Sequence, residues 1–283
     1  MALNDILLQL DCYTEPTRPA AVDWAVDFTA RIGGKVSALA VEVKIPAPTN
    51  WAAERLIGIS DLARAEEAKS RQAANELLAH FEARARGAGV FQDRLHHLAH
   101  YVDVTEHTVT VARTRDLTIV PVASRIDGQA SVADGLIFGS GRPVLVAQTS
   151  ADQSPPSGRL DHVVVAWDGG RPAARALADA LPILAHAKEV RVLTILNEKP
   201  VTVAGAGAEA VRHLQAHGIP ALLDEVDAEG ARIGKVLERY LKAQSADLLV
   251  MGAFGHSRLR EFILGGATQS MLESAPAPIM LAH

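Results

Sequence analysis

Residues 252–268 hold the pattern in this chain that most clearly could do chemistry. Gly252 is followed three residues later by Gly255, nine residues intervene, and Gly265, Gly266, Ala267 and Thr268 come next. Backbone N–H groups can close on a phosphate only where no Cβ stands in the way, which is what glycine permits. A helix N-terminus adds unpaired donors and about half a positive charge, so a glycine loop that runs into a helix makes an anion site. Between the glycines lie His256, Ser257, Arg258 and Arg260. An arginine such as Arg258 can grip a phosphate oxygen, although loops of this kind are more often solvated surface. Taken singly, each glycine is equally explained by a tight turn or a close helix–sheet contact. The ordered set is more specific.

Other residues of chemical interest carry less. His96, His97, His100 and His107, with Asp103 and Glu106, cluster in sequence but lack a recognisable metal-ligand spacing. Gly205-Ala206-Gly207-Ala208-Glu209-Ala210 fits a G-x-G-x-x-A fingerprint. The preceding strand ends near Leu196, however, and Pro200 intervenes, whereas the fingerprint needs its first glycine at the strand end. It reads as an entry to a helix. There is no G-x-x-x-x-G-K-[ST] and no G-x-S-x-G, and no nucleophile–base pair can be recognised.

The elements that must position the glycine loop are short. Leu248–Met251 reads as a buried parallel strand, residues 267–273 as a helix and Pro278–Leu281 as a second strand. The chain as a whole repeats once. Ile6–Asp11 and His162–Asp168 are apolar runs ending in an aspartate. Each precedes an alanine-rich helix, 16–32 and 171–187, and then a strand, 36–41 and 190–196. A repeat of this length reads as duplication of a domain rather than a solenoid. Strands alternating with helices indicate two doubly wound parallel sheets.

The first half continues with an extended loop over 42–59 containing Pro46, Pro48 and Trp51. A helix follows from Asp61 to about Ala88, then a strand near 97–102, a helix over 106–113 and a strand over 117–122. The second half continues with helix 209–217, strand 221–226 and helix 233–244. The polar segment 149–158, rich in Pro, Ser and Gly, is the linker, so the domains are expected at 1–149 and 159–283. In such sheets ligands bind outside the carboxyl ends of the strands. Asp168, the strand end near Ile195 and the Gly252 loop lie on that rim. Asp168 is also a natural helix N-cap or turn residue, and both roles can hold together.

The run Met251-Gly252-x-x-Gly255-x9-Gly265 resembles the nucleotide loop of the universal stress protein family, G-x2-G-x9-G-(S/T). The approach Ala246-Asp247-Leu248-Leu249-Val250-Met251 and the exit Ala275-Pro276-Ala277-Pro278-Ile279-Met280 are similar as well. The resemblance covers nearly the whole chain but is specific only over 252–267 and, more weakly, at the two strand–Asp starts. It implies an α/β fold of two Rossmann-like, adenine nucleotide alpha hydrolase-like domains in tandem, with ATP bound in the second. ATP could carry Mg2+, and AMP or no nucleotide are the alternatives.

By this resemblance Asp168 reaches the ribose or a metal-bridged phosphate, and the backbone at Ile195 reads the adenine. Met251, Gly252, Gly255, Gly265, Gly266 and Ala267 surround ribose and phosphates. Gly266 stands where the family's ATP binders usually carry Ser or Thr, and Thr268 is the candidate to replace that hydroxyl. In the first half, 123–130 has no Gly-x-x-Gly, and Gly139-Ser140 is the candidate remnant of the motif's end. The first domain is therefore expected to be degenerate and to act as a pairing partner, its strand 143–147 against 278–282. Such pairing would cover an exposed strand edge.

The expected role is a stress-response sensor or regulator with an adenine nucleotide ligand and an unknown protein partner, and a homodimer is a further assembly to consider. The competing readings are a slow ATPase, for which no general base stands out, and a nucleotide-free scaffold or small-molecule carrier with a cleft near Trp51.

Composition agrees with this reading. The 283 residues suffice for two domains, and 48% hydrophobic with 22% charged residues is ordinary for a globular protein. A net charge of −5 implies no general attraction to nucleic acid. One cysteine, Cys12, excludes an internal disulfide or a cysteine-based zinc cluster. The start MALNDILLQLD lacks a secretory pattern, and no apolar run approaches ~18 residues, so a membrane partner is not expected and cytoplasm is the default compartment.

Overall fold

The computed structural model describes residues 3–46, 59–122, 129–149, 156, 158–197, 205–253 and 266–283. The first half contributes β1 (Ile6–Leu10), α1 (Pro19–Arg31), β2 (Val36–Lys44), α2 (Ile59–Gly87), β3 (Phe91–His100), α3 (Val104–Ala112), β4 (Leu117–Val122), α4 (Gln129–Gly139) and β5 (Val144–Gln148). The second contributes β6 (His162–Ala166), α5 (Arg171–Leu184), β7 (Glu189–Leu196), α6 (Ala208–Ala216), β8 (Ala221–Asp227), α7 (Ile233–Ala243), β9 (Leu248–Gly252), α8 (Gly266–Ser274) and β10 (Ile279–Ala282).

The two expected sheets are one. Ten strands run in the order β3-β2-β1-β4-β5-β10-β9-β6-β7-β8. All neighbours are parallel except at the centre, where β5 and β10 pair antiparallel with Val146 opposite Ile279, Leu145 opposite Met280 and Val144 opposite Leu281. This is the pairing anticipated between 143–147 and 278–282. The central strands are buried along almost their whole length because helices cover both faces. One core layer joins the sheet to α1, α2, α5 and α6, and the other joins it to α3, α4, α7 and α8.

Equivalent helices of the two halves thus share a face. That arrangement requires a pseudo-twofold axis normal to the sheet, and it sends the carboxyl rims of the two halves to opposite edges of the molecule. The helices follow the apolar spacing. On α5, Ala173, Ala176, Leu177, Ala180, Ile183 and Leu184 form one buried stripe behind Pro172 in the first turn.

Several expectations need correction. Strand β3 begins at Phe91, well before residue 97, and Tyr101–Asp103 form a 3-10 turn instead of continuing it. This strand lies at the sheet edge and is mostly polar, so no apolar run marks its start. Residues 42–44 are the last residues of β2, not loop, and 47–58, including Pro48 and Trp51, lie outside the described residues. Helix α4 was not anticipated at all. Gly139 closes it and Ser140 follows it, with the Ser140 Oγ accepting a hydrogen bond from the Arg142 N–H at 3.1 Å. The motif's closing Gly-(S/T) pair should lead into a helix, as Gly266 at its second position opens α8, so Gly139-Ser140 is a helix terminus and not a remnant of the motif.

Candidate functional site

The rim of the second half is built by the carboxyl ends of β6, β7 and β9 and by the start of α8. Asp168 lies just beyond β6 and is exposed. Its Oδ1 accepts a hydrogen bond from the Gly170 N–H at 2.8 Å, so it is a turn residue at the mouth of α5. Trp167 beside it packs on the core, and its Nε1 donates to the Ala206 carbonyl at 3.1 Å. The Gly205–Gly207 segment is therefore a wall behind β6 and the entry to α6, as its distance from the preceding strand suggested. Ile195 is 9% exposed near the end of β7, opposite Val226 of β8.

Met251 and Gly252 end β9. Gly252 has a definite packing reason to be glycine: a Cβ there would stand 2.4 Å from the Ala173 nitrogen and 2.5 Å from the Pro172 carbonyl carbon. The first turn of α5 lies directly on the strand, a close contact of the kind that dinucleotide folds use. Ala253 is buried, and its carbonyl faces the His283 Nδ1 at 3.1 Å. Gly255, Arg258 and Gly265, with His256, Ser257 and Arg260, lie outside the described residues.

Helix α8 begins at Gly266, which is exposed, and has no acidic residue in its first turn to offset its positive end. Ala267 is half-buried, and Thr268 is buried on the face that also holds Met271 and Leu272. The structure thus brings Asp168, Ile195, Met251 and Gly252 to the carboxyl end of one parallel sheet, while Gly266, Ala267 and Thr268 open the helix that returns from that edge to β10. Two supports of α8 were missed by sequence reasoning. Gly234 in α7 lets the helices touch, since a Cβ there would fall 2.3 Å from the Ser270 Oγ. Gln148, at the end of β5 in the other half, donates from Nε2 to the Leu272 carbonyl at 2.5 Å. Nothing in either local sequence marks these contacts.

The corresponding rim of the first half differs. Ile6 and Val163 hold equivalent registers, facing Leu117 on β4 and Leu248 on β9. Asp11 therefore corresponds to Asp168, and Pro121 to Gly252, which face Ala147 and Ala282 respectively. Asp11 is only 7% exposed. Its Oδ1 accepts from the Gln9 Nε2 at 2.8 Å, its N–H donates to the Thr17 Oγ1 at 2.8 Å, and its Oδ2 is buried without a partner. Burial pushes this carboxyl up to about 7, against a smaller opposing effect of the Gln9 hydrogen bond.

Among the described residues no helix is long and apolar enough to cross a membrane. Comparison with known proteins places this geometry. Residues 159–283 match the model of the universal stress protein family. Universal stress protein Slr1230 of Synechocystis sp. is 31% identical over 84 residues, which are 30% of this chain and 28% of that protein. Among solved structures, a universal stress protein from Archaeoglobus fulgidus matches with a TM-score of 0.69 at 14% identity, covering 99% of this chain and 96% of the other. A protein from Pseudomonas aeruginosa described as a putative universal stress protein matches at 0.57 and 15% identity, covering 99% and 93%. At these identities the structures establish the fold. Over residues 159–283 the sequence itself matches the universal stress protein family.

Proposed function

We propose that this protein binds one adenine nucleotide, ATP with or without Mg2+, on the rim of residues 159–283, and that the bound state regulates a partner protein. AMP is the alternative ligand. The observation that carries this reading is the open second rim: an exposed Asp168 beside Ile195 at the carboxyl ends of β6 and β7, with α8 opening at an exposed Gly266 after the Gly252-x-x-Gly255-x9-Gly265 sequence. Asp168 would meet the ribose or a metal-bridged phosphate. The backbone at Ile195 would meet the adenine, and Met251, Gly252, Gly255, Gly265, Gly266 and Ala267 would surround ribose and phosphates. Arg258 would add a charged contact.

With glycine at 266 and Thr268 buried, the phosphates would rest mainly on backbone N–H groups of the first helical turn. Residues 1–149 would serve as the pairing half and bind no nucleotide in this manner. Native mass spectrometry of the freshly purified chain, with equilibrium dialysis against ATP and Mg2+, tests the proposal. The expected result is one nucleotide per chain, lost in Gly255→Val and Gly265→Val. A chain that is empty and ignores added ATP would overturn it and favour the scaffold reading, to which Gly266 in place of Ser or Thr already lends weight.

A further inference from the structure

Two histidines set aside on sequence spacing meet in the fold. His97 lies on edge strand β3 and His107 on α3, which packs over the same sheet face. The His97 Nδ1 and the His107 Nε2 are 2.6 Å apart, with ring centroids at 4.8 Å and planes at 83°. Both side chains are half-buried. A structural histidine usually hands its ring nitrogens to a carboxylate or a carbonyl. Here the hydrogen-bond partner of each ring is the other ring. The nearby carboxylate of Glu42 is taken by Arg71 at 2.9 Å and by His96 at 3.3 Å. His96, adjacent to His97 on a strand, points to the opposite face.

Two facing ring nitrogens can share one proton, and a second proton would set two cations against each other. The neutral imidazole is the form that ligates metals.

We propose that His97 and His107 form a binding site for a divalent transition metal, with water completing its coordination. Metal–nitrogen bonds of about 2.0 Å place two nitrogens about 2.8 Å apart at a right angle and about 3.3 Å apart at a tetrahedral one, so a metal would replace the 2.6 Å ring–ring hydrogen bond and turn the two rings slightly apart. Among divalent ions Cu2+ leads in intrinsic affinity for a site of imidazole nitrogens. Leu95, Ala99 and Val104 pack on the core around the pair and hold strand and helix at this spacing. Among the described residues no third metal-ligating side chain joins them, so coordination positions stay open to solvent. A second histidine pair, His213 on α6 and His217 at its C-terminal cap, sits exposed with ring centroids at 4.7 Å and provides an internal control.

Titration of the full chain with Cu2+, followed by calorimetry and electron paramagnetic resonance, should show a tightest equivalent bound through two nitrogens. His97→Asn and His107→Asn should each weaken that equivalent at least tenfold, and the double variant His213→Asn/His217→Asn should leave it intact. Survival of the equivalent in His97→Asn and His107→Asn, or its loss with the α6 pair, would overturn the assignment. If either variant fails to fold, substoichiometric Cu2+ added to the wild-type chain decides. Paramagnetic broadening should reach the imidazole signals of His97 and His107 first, and broadening that begins elsewhere would refute the site.

Discussion

The two halves of this molecule share a strand order and differ at their rims. In the first, the aspartate after the leading strand is buried, held by Gln9 and Thr17, and Pro121 occupies the end of the fourth strand. In the second, the equivalent Asp168 is exposed, and Gly252 lets α5 rest on β9. The helix after the second strand also differs, with 29 residues in α2 and 9 in α6. A duplicated framework has thus kept the sheet, whose ten strands must pair to satisfy their backbone, and changed the places where a ligand could enter. What distinguishes the halves is which polar groups were left accessible to water.

The largest expected effect breaks this comparison through Asp11. Its carboxyl titrates near 7 in the folded protein against 3.8 ordinarily, because burial penalises the charge. A raised carboxyl means that the native state holds a proton which the unfolded chain releases. Asp11 therefore costs nothing below pH about 4 and destabilises progressively as pH rises toward 7, by at most about 4 kcal/mol at and above that pH. Asp11→Asn should remove this slope and raise the urea midpoint at pH 8. A pH profile for Asp11→Asn parallel to that of the wild-type chain would mean that burial does not set the first rim apart.

A smaller effect is expected from the opposite rim. Gly252→Val would drive a side chain into the backbone of Pro172 and Ala173, and helix α5 could move away only by uncovering its apolar stripe. A loss of about 3 kcal/mol is expected in denaturant unfolding, accompanied by loss of any nucleotide. Pro121→Val at the equivalent register of β4 should cost less, because a side chain is already accommodated there. Equal costs would remove the packing argument for Gly252.

Much of this was legible in the sequence because buried parallel strands are apolar on both faces and stand out as runs. The β5–β10 pairing was legible for a related reason, since each half had an apolar final strand whose edge needed cover. Helix α4 was not legible. Its core residues Val132, Ala133, Leu136 and Ile137 keep helical spacing, but Gly135 and Gly139 interrupt the run. The burial of Asp11 was equally hidden, because the same strand–Asp pattern opens both halves and only tertiary packing distinguishes them. The His97–His107 contact depends on α3 folding back over β3, which no ligand spacing encodes.

The smallest effect sharpens the comparison by testing what the halves still share. At the amino ends of the strands, Asp116 accepts hydrogen bonds through Oδ2 from the Asn4 and Asp5 N–H groups at 2.9 and 3.0 Å. Asp247 does the same for the Asp161 and His162 N–H groups at 2.9 and 3.0 Å. Each carboxylate ties the start of the fourth strand of its half to the start of the first, so each closes the sheet where no ligand enters. Asp116→Ala and Asp247→Ala should therefore each cost about 2 kcal/mol in urea unfolding, with closely similar values, because the same two charge-assisted bonds are lost. If one cost the protein several times more than the other, the halves would have diverged at this edge too, and the contrast between them could no longer be assigned to the rims.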